Sequence, residues 1–189
     1  MKNKDLKFDL LENALDYILT GIKCISIVKS KSDLKYGTLH IFSGMELIFK
    51  EKLKRIHWTL ILDNIDNADI IRYSNGNFNS ANHQQIMKRL EGICKIKFTK
   101  NQKNELELFK EKRNKFEHFG IVDSKDAIKS VVAKALQTTI DFINNYLEPQ
   151  KFNDNEKAKL EKIRQNLSEF KKFVKERMNK FTKEFANVN

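Results

Sequence analysis

Proline and glycine are nearly missing. The 189-residue chain holds one proline, Pro149, and six glycines. That is too few turn formers for a β-rich fold, so the sequence predicts helices. Cysteine is scarce too, and Cys24 and Cys94 stand far apart without Cys-x-x-Cys spacing. They read as small buried hydrophobes in a reducing compartment, which argues against a disulfide framework and against a zinc site. Long apolar runs are also missing. The best stretch, Leu15 to Val28, contains Asp16 and Lys23, and none reaches the ~18 residues of a membrane span. Met1 to Lys7 carries no apolar run, so no signal peptide is expected. The expected setting is cytoplasmic, with no membrane contact. The four histidines lack metal-ligand spacing and no Asp/Glu cluster joins them, so neither a metal nor a cofactor is expected. Phosphate-cradling glycine loops and serine-nucleophile motifs are missing as well.

What is present is charge on an apolar frame. Apolar residues make up 40 % of the chain, enough for one domain with a sizeable core. Charged residues make up 32 %, above the usual ~25 % and typical of well-solvated helices. The net charge is +11, which suggests a polyanionic partner such as RNA, DNA or an anionic surface. AT-rich coding also enriches a chain in Lys, Asn, Ile and Phe, and lysine then gathers on solvent faces.

The apolar positions predict an all-α bundle of about five to six helices. A first helix runs from about Asp5 to Lys29, with Leu6, Leu10, Leu11, Ala14, Ile18, Ile22 and Ile25 in phase. A second runs from about Leu34 to Ile56 and is allowed to continue to Leu62. Residues 63–82, rich in Asn, Asp, Gly and Ser, read as a long loop. Ser80 then caps a short helix, and residues 93–98 form a connector. Thr99 with Gln102 forms a capping box that opens the next helix. That helix should stop near Gly120, which suits the left-handed residue after a helix end. Ser124 caps the following helix and Pro149 ends it. Residues 1–150 are expected to form the bundle. Residues 151–189 are expected to form a basic amphipathic helix on the same domain or on a second copy. Its seam runs Leu160, Ile163, Leu167, Phe170, Val174, Met178, Phe181 and Phe185.

The stretch that carries chemistry is Arg113-Asn114-Lys115-Phe116-Glu117-His118, in the last turns of a helix. It resembles the signature of the HEPN domain family: an Arg, a polar residue that is often Asn, a short spacer, then His. The resemblance spans roughly Leu6 to Leu147, and Gly44 to Trp58 is similar to the second helix of some members. It implies a HEPN-like bundle and a metal-independent endoribonuclease of bacterial defence or toxin systems, with the 2′-hydroxyl of RNA as nucleophile. It implies Arg113, Asn114 and His118 as catalytic residues. A His suits proton transfer because its ordinary pKa of ~6.5 lies near neutrality. An Arg suits a phosphate because its planar fork makes paired, charge-assisted bonds. The Asn fixes the orientation of the His or of the phosphate. In members paired with small nucleotidyltransferase antitoxins a Tyr follows the His. Phe119 and Gly120 stand here instead, which argues against that pairing, while another antitoxin or regulatory partner stays open.

On an ideal helix, positions 113 and 118 lie about 140° apart. Either the helix unwinds at His118 or a second copy completes the site, and the resemblance implies a homodimer with both motifs in one cleft. Lys110, Lys112, Lys115, Glu46 and Lys50 are the further candidates for RNA contact. Plainer readings stand beside these. Arg113 and His118 also fit a helix end stabilised by the macrodipole, Glu46 and Lys50 an ordinary i,i+4 ion pair, and the basic last helix a solvated face. A non-catalytic module that binds RNA, a nucleotide or a protein is the alternative to a nuclease.

Overall fold

The computed structural model describes residues 8–186, with side chains to residue 169 and that of Lys172. Among these residues there are seven α-helices and no strand. The helices are α1 (Leu10–Ser26), α2 (Lys31–Ile56), α3 (Ile70–Ser74), α4 (His83–Gly92), α5 (Lys100–His118), α6 (Lys125–Tyr146) and α7 (Asp154–Ala186). The all-helical expectation holds. The count exceeds five to six because the Asn-rich stretch folds into short pieces of its own, α3 and a 3-10 turn at Ile65–Asn67.

Caps set most of the boundaries. Asp9 accepts from the Glu12 amide at 2.7 Å and starts α1 at Leu10, later than the expected Asp5. Ser30 and Asp33 exchange bonds in a capping box, so α2 starts at Lys31. It ends at Ile56, because His57 turns extended and the chain goes on as a 3-10 turn at Trp58–Ile61. Thr99 and Gln102 form the expected box, and Ser124 accepts from the Ala127 amide at 3.0 Å. Two local expectations fail. Asn82, not Ser80, caps α4, because Gln85 stands three residues on and returns the second bond of the box. Ser80 instead sits in an isolated antiparallel bridge with Leu62. Gly120 is not left-handed. Helix α5 ends in the extended residue Phe119, and Gly76 is the glycine with positive φ among the described residues.

Helix α2 is the central element and touches α1, α4, α5 and α6. It packs antiparallel to α1 with almost no side chain between them. A Cβ at Gly44 would lie 2.7 Å from the Ala14 carbonyl oxygen, and one at Gly21 would lie 2.8 Å from that of Gly37. The apolar core then continues through Phe49, Phe142 and Phe98, with the Phe49 and Phe142 centroids 4.7 Å apart. Leu160, Ile163 and Leu167 of α7 are buried, and α7 packs on α1 and α6 of the same chain. Leu6 and the seam positions Phe170, Val174, Met178, Phe181 and Phe185 fall outside the described residues and side chains. Among the described residues no helix is long and apolar enough to cross a membrane.

The close crossing yields a test. Gly44→Ala should lower stability, because overpacking costs about 1–3 kcal/mol and exceeds the ~1 kcal/mol gained in helix propensity. Gly92→Ala, where an added Cβ meets nothing within 4 Å, should not. Urea titration of both variants checks this. Equal midpoints would contradict the tight contact.

Candidate functional site

Helix α5 presents two different surfaces. Leu106 and Phe109 point into the core, and Phe116 packs half-buried against it. Arg113 sits at the border. Its guanidinium lies over the ring of Phe42 on α2, 5.3 Å from the centroid, a cation–π contact that fixes the side chain. Its Nη1 donates to Asn114 Oδ1 at 3.0 Å and lies 2.6 Å from Glu117 Oε2. His118 ends the helix with 59 % of its side chain exposed, its Nε2 3.4 Å from the same Glu117 oxygen. The helix does not unwind at His118. Within one chain, Arg113 and His118 are therefore joined by a carboxylate.

Glu117, a spacer position of the motif and not one of the expected catalytic residues, is the side chain that joins the two. Two signals were available: the i,i+4 spacing to Arg113 and adjacency to His118. The end of α5 also suits cations, since Lys115 and His118 lie in the last turn, at the negative end of the helix dipole. After it, the chain leaves apolar side chains in solvent: Phe119 and Val122 are exposed. Lys112 ties this segment down by pairing with Asp123. The hydrogen bond from Lys112 and its charge hold the Asp123 carboxyl below the usual range, against a smaller opposing effect of burial.

The other candidates fall in two groups. Lys110 pairs with Glu107 at 2.6 Å, and Lys115 is exposed. Glu46 and Lys50 are not an open ion pair on a solvated face. Lys50 is buried, its Nζ donates to Ser80 Oγ at 2.9 Å, and burial lowers its pKa against the pull of Glu46. A lysine enclosed in this way offers little surface to a phosphate, which weighs against an RNA contact from Lys50. Glu46 Oε1 lies 3.3 Å from His83 Nδ1, close enough for an ion pair but not aligned as a hydrogen bond.

Comparison with protein-family models, curated proteins and solved structures finds no match to this chain. Any functional reading therefore stands on the residues.

His83 is the second residue the sequence did not reveal. It is buried, and its ring lies 5.5 Å from that of Phe42, the ring that also carries Arg113. Phe42 on α2 thus touches both His83 on α4 and Arg113 on α5. The other histidines lie elsewhere: His40 packs on Tyr17, and His57 Nδ1 lies 2.8 Å from Thr59 Oγ1. Among the described residues, no three His, Cys, Asp or Glu side chains gather in a way that would hold a metal ion.

The Lys112–Asp123 tie gives a pH prediction. The lowered carboxyl pKa means that its stabilisation is present above the unfolded value and is lost as pH falls through the folded value. Asp123→Asn should therefore lower Tm at pH 7, and the gap to wild type should close in acid. A gap that stays constant from pH 7 to pH 3 would show that the pair does not hold the segment.

Proposed function

We propose that this protein is an endoribonuclease of HEPN type, which cuts RNA without a divalent metal. The observation that carries the reading is the grouping of Arg113, Asn114 and His118 at the accessible end of α5, linked through Glu117. The exposed imidazole of His118 takes the proton of the 2′-hydroxyl. The 2′-oxygen then attacks the adjacent phosphorus, and the 5′-oxygen leaves with a proton. The products are a 2′,3′-cyclic phosphate and a 5′-hydroxyl. Arg113 stabilises the charge that builds on the phosphate oxygens. Asn114 keeps its guanidinium in place. Glu117 occupies Arg113 until a phosphate replaces it, and its release leaves the His118 ring free to turn.

One His118 serves either as base or as acid. A two-fold homodimer supplies the second, and the exposed Phe119 and Val122 beside the motif give such a contact its apolar part. The resemblance of the motif supports a defence or toxin effector, with an antitoxin or regulatory protein as a further partner and a cytoplasmic setting. The basic excess of the chain supports RNA as the polyanion. One observation favours a second reading, a non-catalytic binding module: Arg113 and His118 already share Glu117, as a plain helix-end ion pair would.

Incubation of the purified protein with total RNA in EDTA separates the two. Wild type should cut RNA and leave DNA intact, and His118→Ala should cut about 10²–10⁴-fold more slowly. Arg113→Lys should recover little, because a point charge does not replace a planar fork. Cleavage by His118→Ala at the wild-type rate, or activity that disappears in EDTA and returns with Mg²⁺, would leave the binding module as the better reading.

A further inference from the structure

Helices α2 and α5 run in opposite directions. Phe49 of α2 meets Phe98, which precedes α5, and Phe42 of α2 meets Phe109 within it. The first turns of α2 and the last turns of α5 therefore share one end of the bundle, the end that holds Arg113, Asn114 and His118. The face of α2 that meets α5 continues toward the helix N-terminus. It carries Phe49, Phe42, Lys35 and Lys31, at steps of seven, seven and four residues. At 3.6 residues per turn, all four stay within about 40° of one line. The inward stripe of this helix thus ends in two lysines. Lys35 is half-buried and Lys31 is exposed. The stem of Lys35 packs on the bundle while its ammonium reaches the edge, where Nζ lies 5.7 Å from the centroid of the exposed Tyr36 ring.

Arg113 lies over the Phe42 ring. From that ring to Lys35, α2 rises about 10 Å, and from Phe109 to His118, α5 rises about 13 Å toward the same end. The first distance is about three nucleotides at the ~3.4 Å rise of a strand. Charge then singles these lysines out. Asp33, Asp123 and Glu117, carboxylates at this end, are each engaged. Asp33 accepts from the amides of Lys29 and Ser30 at 2.9 and 2.7 Å, Asp123 pairs with Lys112, and Glu117 lies 2.6 Å from Arg113. No carboxylate of the described residues lies within ion-pair distance of Lys31 or Lys35. Two unneutralised cations on the line that leads to Arg113 match the regular charge of a strand. The exposed Tyr36 beside them adds a flat aromatic surface, which an unpaired base uses and a lipid headgroup does not.

We infer that Lys35 and Lys31 are phosphate contacts for the RNA strand beyond the cut site, so that the strand runs from Arg113 along the first turns of α2. The inference rests on the nuclease reading for the place of the cut, and on these lysines alone for binding. The full chain carrying His118→Ala, which should spare the RNA, is titrated with a fluorescent oligouridylate of about eight nucleotides, long enough to pass both lysines. Anisotropy is followed from low to high salt. Lys35→Gln and Lys31→Gln should each weaken binding several-fold. Each should also reduce the slope of log affinity against log salt by about 0.7, the value of one phosphate contact on a single strand. Lys35→Arg, which keeps the charge, should restore that slope. Lys157→Gln removes the same charge at the opposite end of the bundle, where Asn155 of α7 donates to Glu12 near the start of α1, and should change neither quantity. Equal losses in Lys35→Gln, Lys31→Gln and Lys157→Gln would mean attraction by net charge alone and would overturn the inference, even in a protein that cuts RNA. Unchanged affinity in Lys35→Gln and Lys31→Gln would overturn it too. Loss confined to these two variants, in a protein whose wild type does not cut RNA, would sink the nuclease reading and retain the lysines as an RNA contact.

Discussion

Contact between the backbones of α1 and α2 sets the position of everything else. Where Gly21, Gly37 and Gly44 meet the facing helix, the two axes approach until a single added carbon would strike a carbonyl oxygen. Such a contact gains little from side-chain burial at the crossing itself. It lets Ile18, Ile25 and Ile41 close over the gap from the sides, all of them buried. With α1 pressed against one face, α2 has its remaining faces free for α4, α5 and α6. This is why its buried residues surround the helix instead of forming one stripe, and why buried polar groups such as Thr38, Lys50 and Glu51 fall on it. Each finds a partner: Thr38 donates to the Leu34 carbonyl, Lys50 to Ser80, and Glu51 pairs with Arg55.

Phe42 transmits that placement to the surface. Its ring is buried, packs edge-on against Phe109 of α5 at 5.5 Å, and carries His83 and Arg113 at its margins. A guanidinium on an aromatic face loses little of its hydration and gains a fixed position. Arg113 is therefore held by the core, whereas His118, five positions on, is held by the helix end and by Glu117. One member of the motif is rigid and the other is open to solvent.

The sequence made the larger features legible and hid those that depend on distant neighbours. The helices of α1, α2, α5 and α6 follow from apolar spacing, and the Thr99 and Ser124 caps from local chemistry, because both signals lie within a few residues. Ser80 misled because it is a good cap by type, yet Lys50, thirty positions away, takes its hydroxyl, and Asn82 has the better partner in Gln85. Gly120 misled because the chain leaves α5 through an extended Phe119, a conformation that makes no demand on glycine. His83 was unreadable for the same kind of reason. Nothing in residues 80–86 announces Phe42 or Glu46, which reach it only through the packing of α4 on α2. Arg113, Asn114 and His118 were visible as a pattern, while their common link through Glu117 needed the helix to stay intact to its last residue.

That intact helix also bears on how charge acts here. The chain is strongly basic, yet several cations of α5 are each paired with a carboxylate: Lys110 with Glu107, Lys112 with Asp123, Arg113 with Glu117. Exposed pairs of this kind are worth little and are weakened by salt. An arriving phosphate therefore gives up little to displace a carboxylate from Arg113, and the planar fork gains two charge-assisted bonds in return. Lys112 differs from the others, because its carboxylate sits in the segment after the helix and not on α5 itself, so separating that pair would also free the exposed Phe119 and Val122. Under the proposed nuclease reading, the net positive charge that draws a polyanion comes from Lys115 and from the rest of the surface. On that reading the end of α5 selects where the strand settles, by geometry more than by charge.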